Sequence, residues 1–285
     1  MLRLGQIEIR RLLELTGPHA PINEAFLEAT PEALAPHRHW LEPDAHCPVT
    51  QRMILPVQAY LLRTRHHWIL LDTCVGCGKS NPYDPPWHRR TDPAWLDQLA
   101  AAHVRPADID YVFCTHLHTD HVGWNTRQRD GRWVPTFPNA KYIFSKLEYD
   151  ATAAGGGEGF EESVLPIMEA GQARLVELDF ALDDQVWLEP AVGHTEGHVA
   201  INLQSEGRRA AMCGDLMHHP VQCPHPEWSP VWDRDQRLAR VTRRSFLERH
   251  CDTDTLVLTA HFPPPSMGRV IAAGDAFMFR YVDAE

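Results

Sequence analysis

The stretch Cys114-Thr115-His116-Leu117-His118-Thr119-Asp120-His121 carries three histidines and an aspartate close together, directly after an apolar run. In an extended segment, side chains at i and i+2 lie on the same face, so His116 and His118 can bind one ion together. Asp120 continues that face, whereas His121 points elsewhere and can serve a second ion. The stretch therefore predicts a metal site at the end of a buried strand.

The composition is that of an ordinary globular protein, because 44% of the 285 residues are hydrophobic and 23% are charged. A formal net charge of −11 disfavours a nucleic-acid partner, which requires a basic surplus. No apolar run approaches the roughly 18–20 residues of a membrane span, and the N-terminus does not resemble a signal peptide. We therefore expect no membrane partner and a cytoplasmic location. The seven scattered cysteines do not indicate a disulfide framework.

Strand and helix patterns divide the chain into two β-rich halves, one before about residue 150 and one after about residue 170. No linker separates them, which favours one domain over residues 1–285 with an irregular N-terminal extension or lid at 16–50. Arg174–Leu178 is predicted to open the second sheet, and Asp233 to open a long helix to about His250 through a capping box with Gln236. Sheets with outer helices predict an α/β fold, a four-layer αβ/βα sandwich.

Three loops beside predicted strands offer further ligands. His198 closes a glycine-containing loop that begins at Gly193, Asp215 follows Cys213-Gly214, and His261 ends another strand. Imidazoles and carboxylates form a donor set that suits zinc, with iron, manganese or cobalt as alternatives. The sequence therefore predicts enough ligands for two divalent ions.

The pattern His116-x-His118-x-Asp120-His121, followed by His198, Asp215 and His261, resembles the metallo-β-lactamase superfamily of metallohydrolases. Asp72-Thr73 also resembles the structural Asp-Thr-Gly turn of that family, with Cys74 in place of glycine. The resemblance implies that His116, His118 and His198 hold one metal ion. It assigns Asp120, His121 and His261 to the second ion, with Asp215 bridging the two.

The same resemblance implies the chemistry of a dinuclear hydrolase. Two ions roughly 3.5–4 Å apart share a water and lower its pKa, which gives hydroxide for attack on a carbonyl or phosphoryl centre. Asp120 is expected to orient that water and relay a proton. Asp72 is expected to hydrogen-bond backbone and ligand groups rather than substrate.

Within the superfamily, the length and the N-terminal extension are most similar to lactonase-like and organophosphate-hydrolase-like enzymes. Acyl-homoserine lactonases commonly have a tyrosine three residues after the bridging aspartate, where this chain has His218. We therefore expect catalytic roles for Asp120 and His218 in hydrolysis of a small ester or lactone. Alternatives are a β-lactam or phosphotriester hydrolase, a glyoxalase II-like thioesterase and a non-catalytic metal-binding protein.

Large apolar side chains near the ligands are candidates to line a substrate pocket. These candidates are Trp124, Trp228, Phe262, Met217, Trp40 and Trp87. The irregular segment 16–50, with its exposed apolar content near Trp40, also suggests a homodimer contact.

Overall fold

Two large β-sheets with helices on their outer faces form most of the protein, and two further pairs of strands form small sheets. A computed structural model describes residues 1–156 and 159–282. The strands are β1 (Leu2–Leu4), β2 (Ile7–Leu15), β3 (Pro18–Pro21), β4 (Arg52–Ile54), β5 (Val57–Arg63), β6 (Trp68–Leu71), β7 (Tyr111–Phe113), β8 (Thr126–Arg129), β9 (Arg132–Pro135), β10 (Lys141–Ser145), β11 (Ala173–Val176), β12 (Val186–Pro190), β13 (Val199–Ser205), β14 (Arg208–Met212), β15 (Leu256–Leu258), β16 (Met267–Ala273) and β17 (Ala276–Tyr281). The α-helices are α1 (Ile22–Ala25), α2 (Pro31–Leu34), α3 (Arg38–Leu41), α4 (Ala94–Ala101), α5 (Thr119–Val122), α6 (Lys146–Gly155), α7 (Leu165–Glu169) and α8 (Gln236–His250).

The first sheet has the strand order β1-β2-β5-β6-β7-β10-β11, and the second runs from β12 to β17 in chain order. Apolar side chains of both sheets, such as Leu62 and Ile201, pack in one buried cluster between them. Trp95 of α4 belongs to a cluster on the other face of the first sheet, and Phe246 of α8 to one on the other face of the second. These layers confirm the predicted α/β sandwich.

The strand predicted at Arg174–Leu178 does not open the second sheet. Its observed counterpart, β11, pairs in parallel with β10 at the edge of the first sheet. Parallel neighbours need a crossover connection of a dozen or more residues, and the segment with α6 and α7 provides it. The prediction was wrong because periodicity identifies a strand without identifying its neighbour.

The start of α8 also differs from the prediction. Asp235, rather than Asp233, is the N-cap, and its carboxylate accepts the backbone N–H of Leu238 at 2.9 Å. Asp233 is buried two residues earlier, where its carboxylate binds His194 and Arg243. The predicted capping box is therefore absent, because the acidic group is used inside the protein.

Segment 16–50 is folded onto the loop that follows β14. Its strand β3 pairs with β4, and side chains such as Phe26 and Leu41 pack in one cluster with Val221 and Trp228. A lid function for this segment, like the single domain over residues 1–285, stays a prediction.

Two glycine-containing stretches of the sequence predict a turn and a flexible break. The Asp130-Gly131 pair predicts a hairpin turn, and both residues have positive φ, 52° and 76°, in the turn that joins β8 to β9, which confirms this prediction. The run Gly155-Gly156-Gly157 predicts a flexible break; Gly155 ends α6, and Gly157 lies outside the described residues. Within the described part of the chain, no helix is long and apolar enough to cross a membrane.

Candidate metal centre

The candidate ligands come from loops at one end of both sheets. β7 of the first sheet leads to His116, while β14 and β15, parallel neighbours in the second sheet, lead to Asp215 and His261. Carboxyl ends of parallel strands meet at the same sheet edge, so these loops converge. The fold therefore explains why residues far apart in sequence form one cluster.

One group of possible ligands comprises His116, His118, His194 and Asp215, whose ligand atoms all lie within 4.8 Å of one another. Asp215 Oδ2 is 3.2 Å from His194 Nε2 and 3.6 Å from His116 Nε2. His118 Nδ1 is 3.0 Å from His194 Nε2. Three imidazoles and one carboxylate oxygen thus face a common point.

A second group comprises Asp120, His121 and His261, again within 4.8 Å. The Nε2 atoms of His121 and His261 each lie 3.1 Å from Asp215 Oδ1 and 3.5 Å from Asp120 Oδ2. The two oxygens of Asp215 therefore face different groups, and this carboxylate lies between them.

His194 takes the position that the sequence analysis assigned to His198. The Nε2 atom of His198 accepts the backbone N–H of Asp215 at 2.9 Å, so this imidazole supports the Asp215 loop. Gly214 allows that approach, since it has a φ of +50° and a Cβ there would lie 2.5 Å from His198 Nε2. Both histidines belong to one Gly-His-Thr-Glu-Gly-His loop, and their spacing alone does not show which one points inward.

Several nitrogen and oxygen atoms of the cluster lack hydrogen-bond partners, as expected for atoms that bind metal ions. Among the residues that the structure describes, His116 Nε2, His121 Nε2 and Asp215 Oδ1 are buried without a hydrogen-bond partner. Buried polar atoms are normally paired, and here both histidine nitrogens lie within 3.6 Å of a carboxylate oxygen of Asp215. The nitrogen and carboxylate donors also match the preferences of zinc. The residues therefore fit two divalent cations.

The pKa of Asp215 shows that this buried carboxylate is stabilised by positive charge around it. Burial opposes ionisation of Asp215, but His121 and His261 outweigh it and hold the pKa of that carboxyl well below its usual range. Burial likewise opposes a charge on His194, yet Asp215 raises its pKa to about 9. At His118, burial and His194 lower the pKa to about 3. A bound cation would meet the same electrostatic requirement without protons on the imidazoles.

Hydrogen bonds on the far side of the rings hold the imidazoles in place. His121 donates from Nδ1 to Asp72 Oδ2 at 2.7 Å, and Asp72 also accepts the backbone N–H of Thr115 at 2.8 Å. His194 donates from Nδ1 to Asp233 at 2.9 Å, and His261 to a backbone carbonyl at 2.8 Å. Such partners fix the ring orientation and make Nε2 the ligand atom. The predicted supporting role of Asp72 is confirmed.

Glu148 of α6 connects the two histidine loops. Its buried carboxylate accepts the backbone N–H of Leu117 at 3.1 Å and that of Gly197 at 3.0 Å. Leu117 lies between His116 and His118, and Gly197 belongs to the loop of His194. The Glu148 side chain therefore holds the loop of His116 and His118 next to the loop of His194.

Replacement of Glu148 with glutamine is expected to weaken metal binding about tenfold to a hundredfold, as is typical when such supporting groups are lost. The amide keeps one acceptor oxygen, but its NH₂ group faces a backbone donor, so one loop shifts. Competition with a chromophoric chelator measures the affinity. The exposed Glu169→Gln variant is the control, and equal affinities in both variants would remove Glu148 from this role.

A cavity of about 570 Å³ opens onto the cluster. His118, Asp120, Asp215, His218 and His261 reach its wall. The other lining residues include the apolar Leu55, Trp87, Leu117 and Trp232 and the polar His19, Asp84, Thr195 and Arg234. The cavity size is typical of small-molecule sites.

Of the large side chains predicted to line a pocket, only Trp87 does so among the described residues. Trp124 stacks on Trp95 in the core with a ring separation of 5.8 Å. Trp228 packs under segment 16–50, and Phe262 lies in the cluster beneath α8. Proximity in sequence was not sufficient here, because the side chains of Trp124, Trp228 and Phe262 point into the core.

His218 lies beside the carboxylate that separates the two groups. Its Nε2 is 3.0 Å from Asp215 Oδ2, and its ring stacks on that of His261 with centroids 5.5 Å apart. Burial lowers the pKa of His218 to about 4, although the neighbouring carboxylate of Asp215 opposes this shift. Asp215, His218 and His261 also form a third set with possible ligand atoms within 4.8 Å. The imidazole is thus neutral near pH 7 and close to both groups.

Comparison with known families agrees with this arrangement, since residues 53–261 match the metallo-beta-lactamase superfamily. The chain belongs to the metallo-β-lactamase superfamily. The matched residues extend from β4 to the last candidate ligand, His261, and so contain every member of the cluster.

Two kinds of superfamily relatives are similar in sequence. An N-acyl homoserine lactonase from a Bacillus species is 28% identical over 164 residues, which are 53% of this chain and 60% of the lactonase. A probable metallo-hydrolase of Mycobacterium tuberculosis is 26% identical over 230 residues, 71% of this chain and 73% of that protein. The match with the lactonase thus spans less than two thirds of its length.

Solved structures of the superfamily share the fold over the whole chain. The dizinc quorum-quenching lactonase AidC, in complex with a product, has a TM-score of 0.80 at 22% identity and covers 100% of this chain and 97% of its own. The hydrolase AbOPH has a TM-score of 0.81, with the same identity and coverage. At 22% sequence identity, the structural similarity shows a shared sandwich fold. It does not show a shared substrate, because the side chains of each site determine substrate recognition.

Proposed function

We propose that this protein is a dinuclear metal-dependent hydrolase that uses two zinc ions on a small ester or lactone. The position of Asp215 carries the proposal, because its two oxygens face two separate groups of ligands at 3.1–3.6 Å. His116, His118 and His194 would hold one ion, and Asp120, His121 and His261 the other. Bound together, two such ions supply a hydroxide nucleophile near neutral pH and polarise the substrate.

The proposed ligand set differs from the sequence expectation in one residue, because His194 takes the place of His198. His198 instead supports the backbone of Asp215. Dizinc chemistry in AidC, whose fold is shared, is consistent with the choice of metal. The donor types alone also suit iron, manganese and cobalt.

Asp120 and His218 are the proposed catalytic residues. Asp120 is 8% exposed and reaches the cavity wall, so its carboxylate is placed to orient a water and accept its proton. His218 borders the same cavity, and its Nε2–H, which donates to Asp215 Oδ2 at 3.0 Å, would be free to donate to a carbonyl oxygen of the substrate when metal ions engage Asp215. The apolar wall formed by Leu55, Trp87 and Trp232 would accommodate an acyl group.

Turnover of four substrate classes by the zinc-loaded protein tests this function. The panel contains an acyl lactone, an aryl ester, a phosphotriester and a β-lactam, each with and without prior removal of metal. We expect the lactone or the ester to give the highest kcat/KM and removal of metal to abolish it. Highest kcat/KM with the phosphotriester or the β-lactam would overturn the proposed substrate class, and metal-independent turnover would overturn the mechanism.

Replacement of His218 with alanine is expected to lower kcat for the preferred substrate about a hundredfold, a typical loss for one group that stabilises an oxyanion. Bound zinc should stay at the wild-type level, because the proposed ligand set does not include His218. Fewer zinc equivalents would instead identify His218 as a ligand. The exposed His66→Ala variant serves as the control.

The remaining expectations from the sequence concern the cellular setting. The homologous lactonases act on small molecules, as the product complex of AidC illustrates, and we propose a small-molecule substrate here. The homodimer and the cytoplasmic location stay predictions.

A further inference from the structure

A second cavity, of about 730 Å³, lies at the end of the second sheet opposite the metal centre. β14 and β15 begin beside this cavity and run toward Asp215 and His261. Five arginines and two carboxylates line it, and we refer to it as the arginine cleft. The arginines are Arg3, Arg208, Arg209, Arg249 and Arg269, and the carboxylates are those of Glu189 and Asp254.

The positive charge of the arginine cleft is only partly neutralised. Arg249 pairs with Glu189, and Arg3 pairs with Glu8 at 2.6 Å. Within residues 1–156 and 159–282, no ion pair is formed by the other three arginines, Arg208, Arg209 and Arg269. Such a surplus is notable in a chain whose net charge is −11.

The charge of Arg269 is poorly compensated. Its guanidinium forms no ion pair among the described residues, and its Nε is buried without a hydrogen-bond partner there. It also lies directly opposite Arg280 in the β16–β17 pair, and like charges in this position repel each other. An anion bound to the part of the guanidinium that lines the cleft would offset this repulsion.

Trp187 gives the cleft an aromatic surface as well. Its half-buried side chain on β12 lines the cleft beside Glu189 and opposite Asn202. A flat indole next to several guanidinium groups offers stacking for a ring and forked hydrogen bonds for phosphates. The volume also suits a ligand of that size.

We propose that the arginine cleft binds a nucleoside diphosphate or a closely similar anion, with its phosphates on the arginines and its ring on Trp187. Arg209 and Arg269 provide the principal phosphate contacts, because both lack a partner among the described residues and enter the cleft from different strands. One guanidinium fork can bind two oxygens of one phosphate group, so two arginines on different strands favour two linked phosphates over a single compact anion. The site is separate from the metal centre and does not depend on the proposed hydrolase function.

Calorimetric titration of the metal-loaded protein at 150 mM salt tests the proposal with ADP, pyrophosphate and adenosine as probes. We expect ADP to bind at least about tenfold more tightly than either part alone. Arg209→Gln and Arg269→Gln should each weaken ADP binding about tenfold or more, as expected for loss of a charge-assisted hydrogen bond. The Trp187→Leu variant should weaken ADP by a similar factor and leave pyrophosphate unchanged.

Arg237→Gln is the matched control, because Arg237 is exposed on α8 and does not line the cleft. ADP affinity equal to that of wild type in both cleft variants would overturn the proposal, and so would displacement of ADP by sulfate at equal concentration. Circular dichroism and thermal unfolding of each variant report whether its fold is intact. ADP affinity that falls only in the cleft variants locates the ligand in the cleft rather than at the metal centre.

Discussion

Asp215→Ala should lose hydrolytic turnover by about a thousandfold or more, the largest effect on activity that we expect from a single substitution. A loss of that size corresponds to about 4 kcal/mol of transition-state stabilisation, within the range that metal ions supply. The reason is the position of the side chain, whose Oδ1 and Oδ2 face different ligand groups. Without this carboxylate, both groups lose a ligand and the charge between them.

The number of bound zinc ions distinguishes this account from a simple loss of packing. The Asp215→Ala protein is expected to retain at most one tightly bound zinc ion. The nearly isosteric Asp215→Asn variant should show the same loss, because it preserves the side-chain volume and removes only the charge. The exposed Asp275→Ala variant is the control. Full turnover in either variant of Asp215 would refute its bridging position.

Arg243→Ala should cause the largest loss of stability, about 3–5 kcal/mol in the free energy of unfolding, as is typical when one member of a buried ion pair is removed. Arg243 of α8 is completely buried, and its Nη2 lies 3.1 Å from Asp233 Oδ2. It also donates to the backbone carbonyls of Leu216 at 2.6 Å and Trp228 at 2.9 Å. Its removal leaves these acceptors without a donor and Asp233 without its arginine partner.

The same substitution should reach the metal centre through Asp233, which accepts a hydrogen bond from His194 at 2.9 Å. We therefore expect weaker zinc binding together with lower stability. Urea denaturation and chelator competition measure the two effects. Arg237→Ala, an exposed change on the same helix, should alter neither quantity. A loss below about 1 kcal/mol for Arg243→Ala would show that the buried network does not stabilise the loop.

Most residues of the candidate metal centre could be identified from the sequence, because they are close together or follow recognisable strands. One short pattern contains His116, His118, Asp120 and His121. Its resemblance to the metallo-β-lactamase superfamily indicates Asp215 and His261 as further ligands. His194 could not be separated from His198 in this way. The two differ in the direction of their rings, which depends on the glycine turns and on Asp233 and Asp215 as partners.

Features that depend on three-dimensional packing were harder to predict. Asp233 has the sequence context of a helix cap, but a buried arginine ten residues later recruits it to the interior. β11 has the periodicity of a strand, and only its crossover from β10 determines which sheet it joins. The pocket residues Leu55 and Trp232 lie outside any motif, because a cavity wall is assembled from loops whose positions the whole fold determines.

The proposed dinuclear centre is tested most directly by zinc titration of metal-free protein, with bound metal and lactone or ester turnover measured in the same samples. We predict binding of two equivalents and turnover that reaches its maximum only as the second ion binds. The Asp215→Ala protein should bind at most one and remain inactive. Maximal turnover at one equivalent, or in the absence of metal, would contradict the two-ion centre.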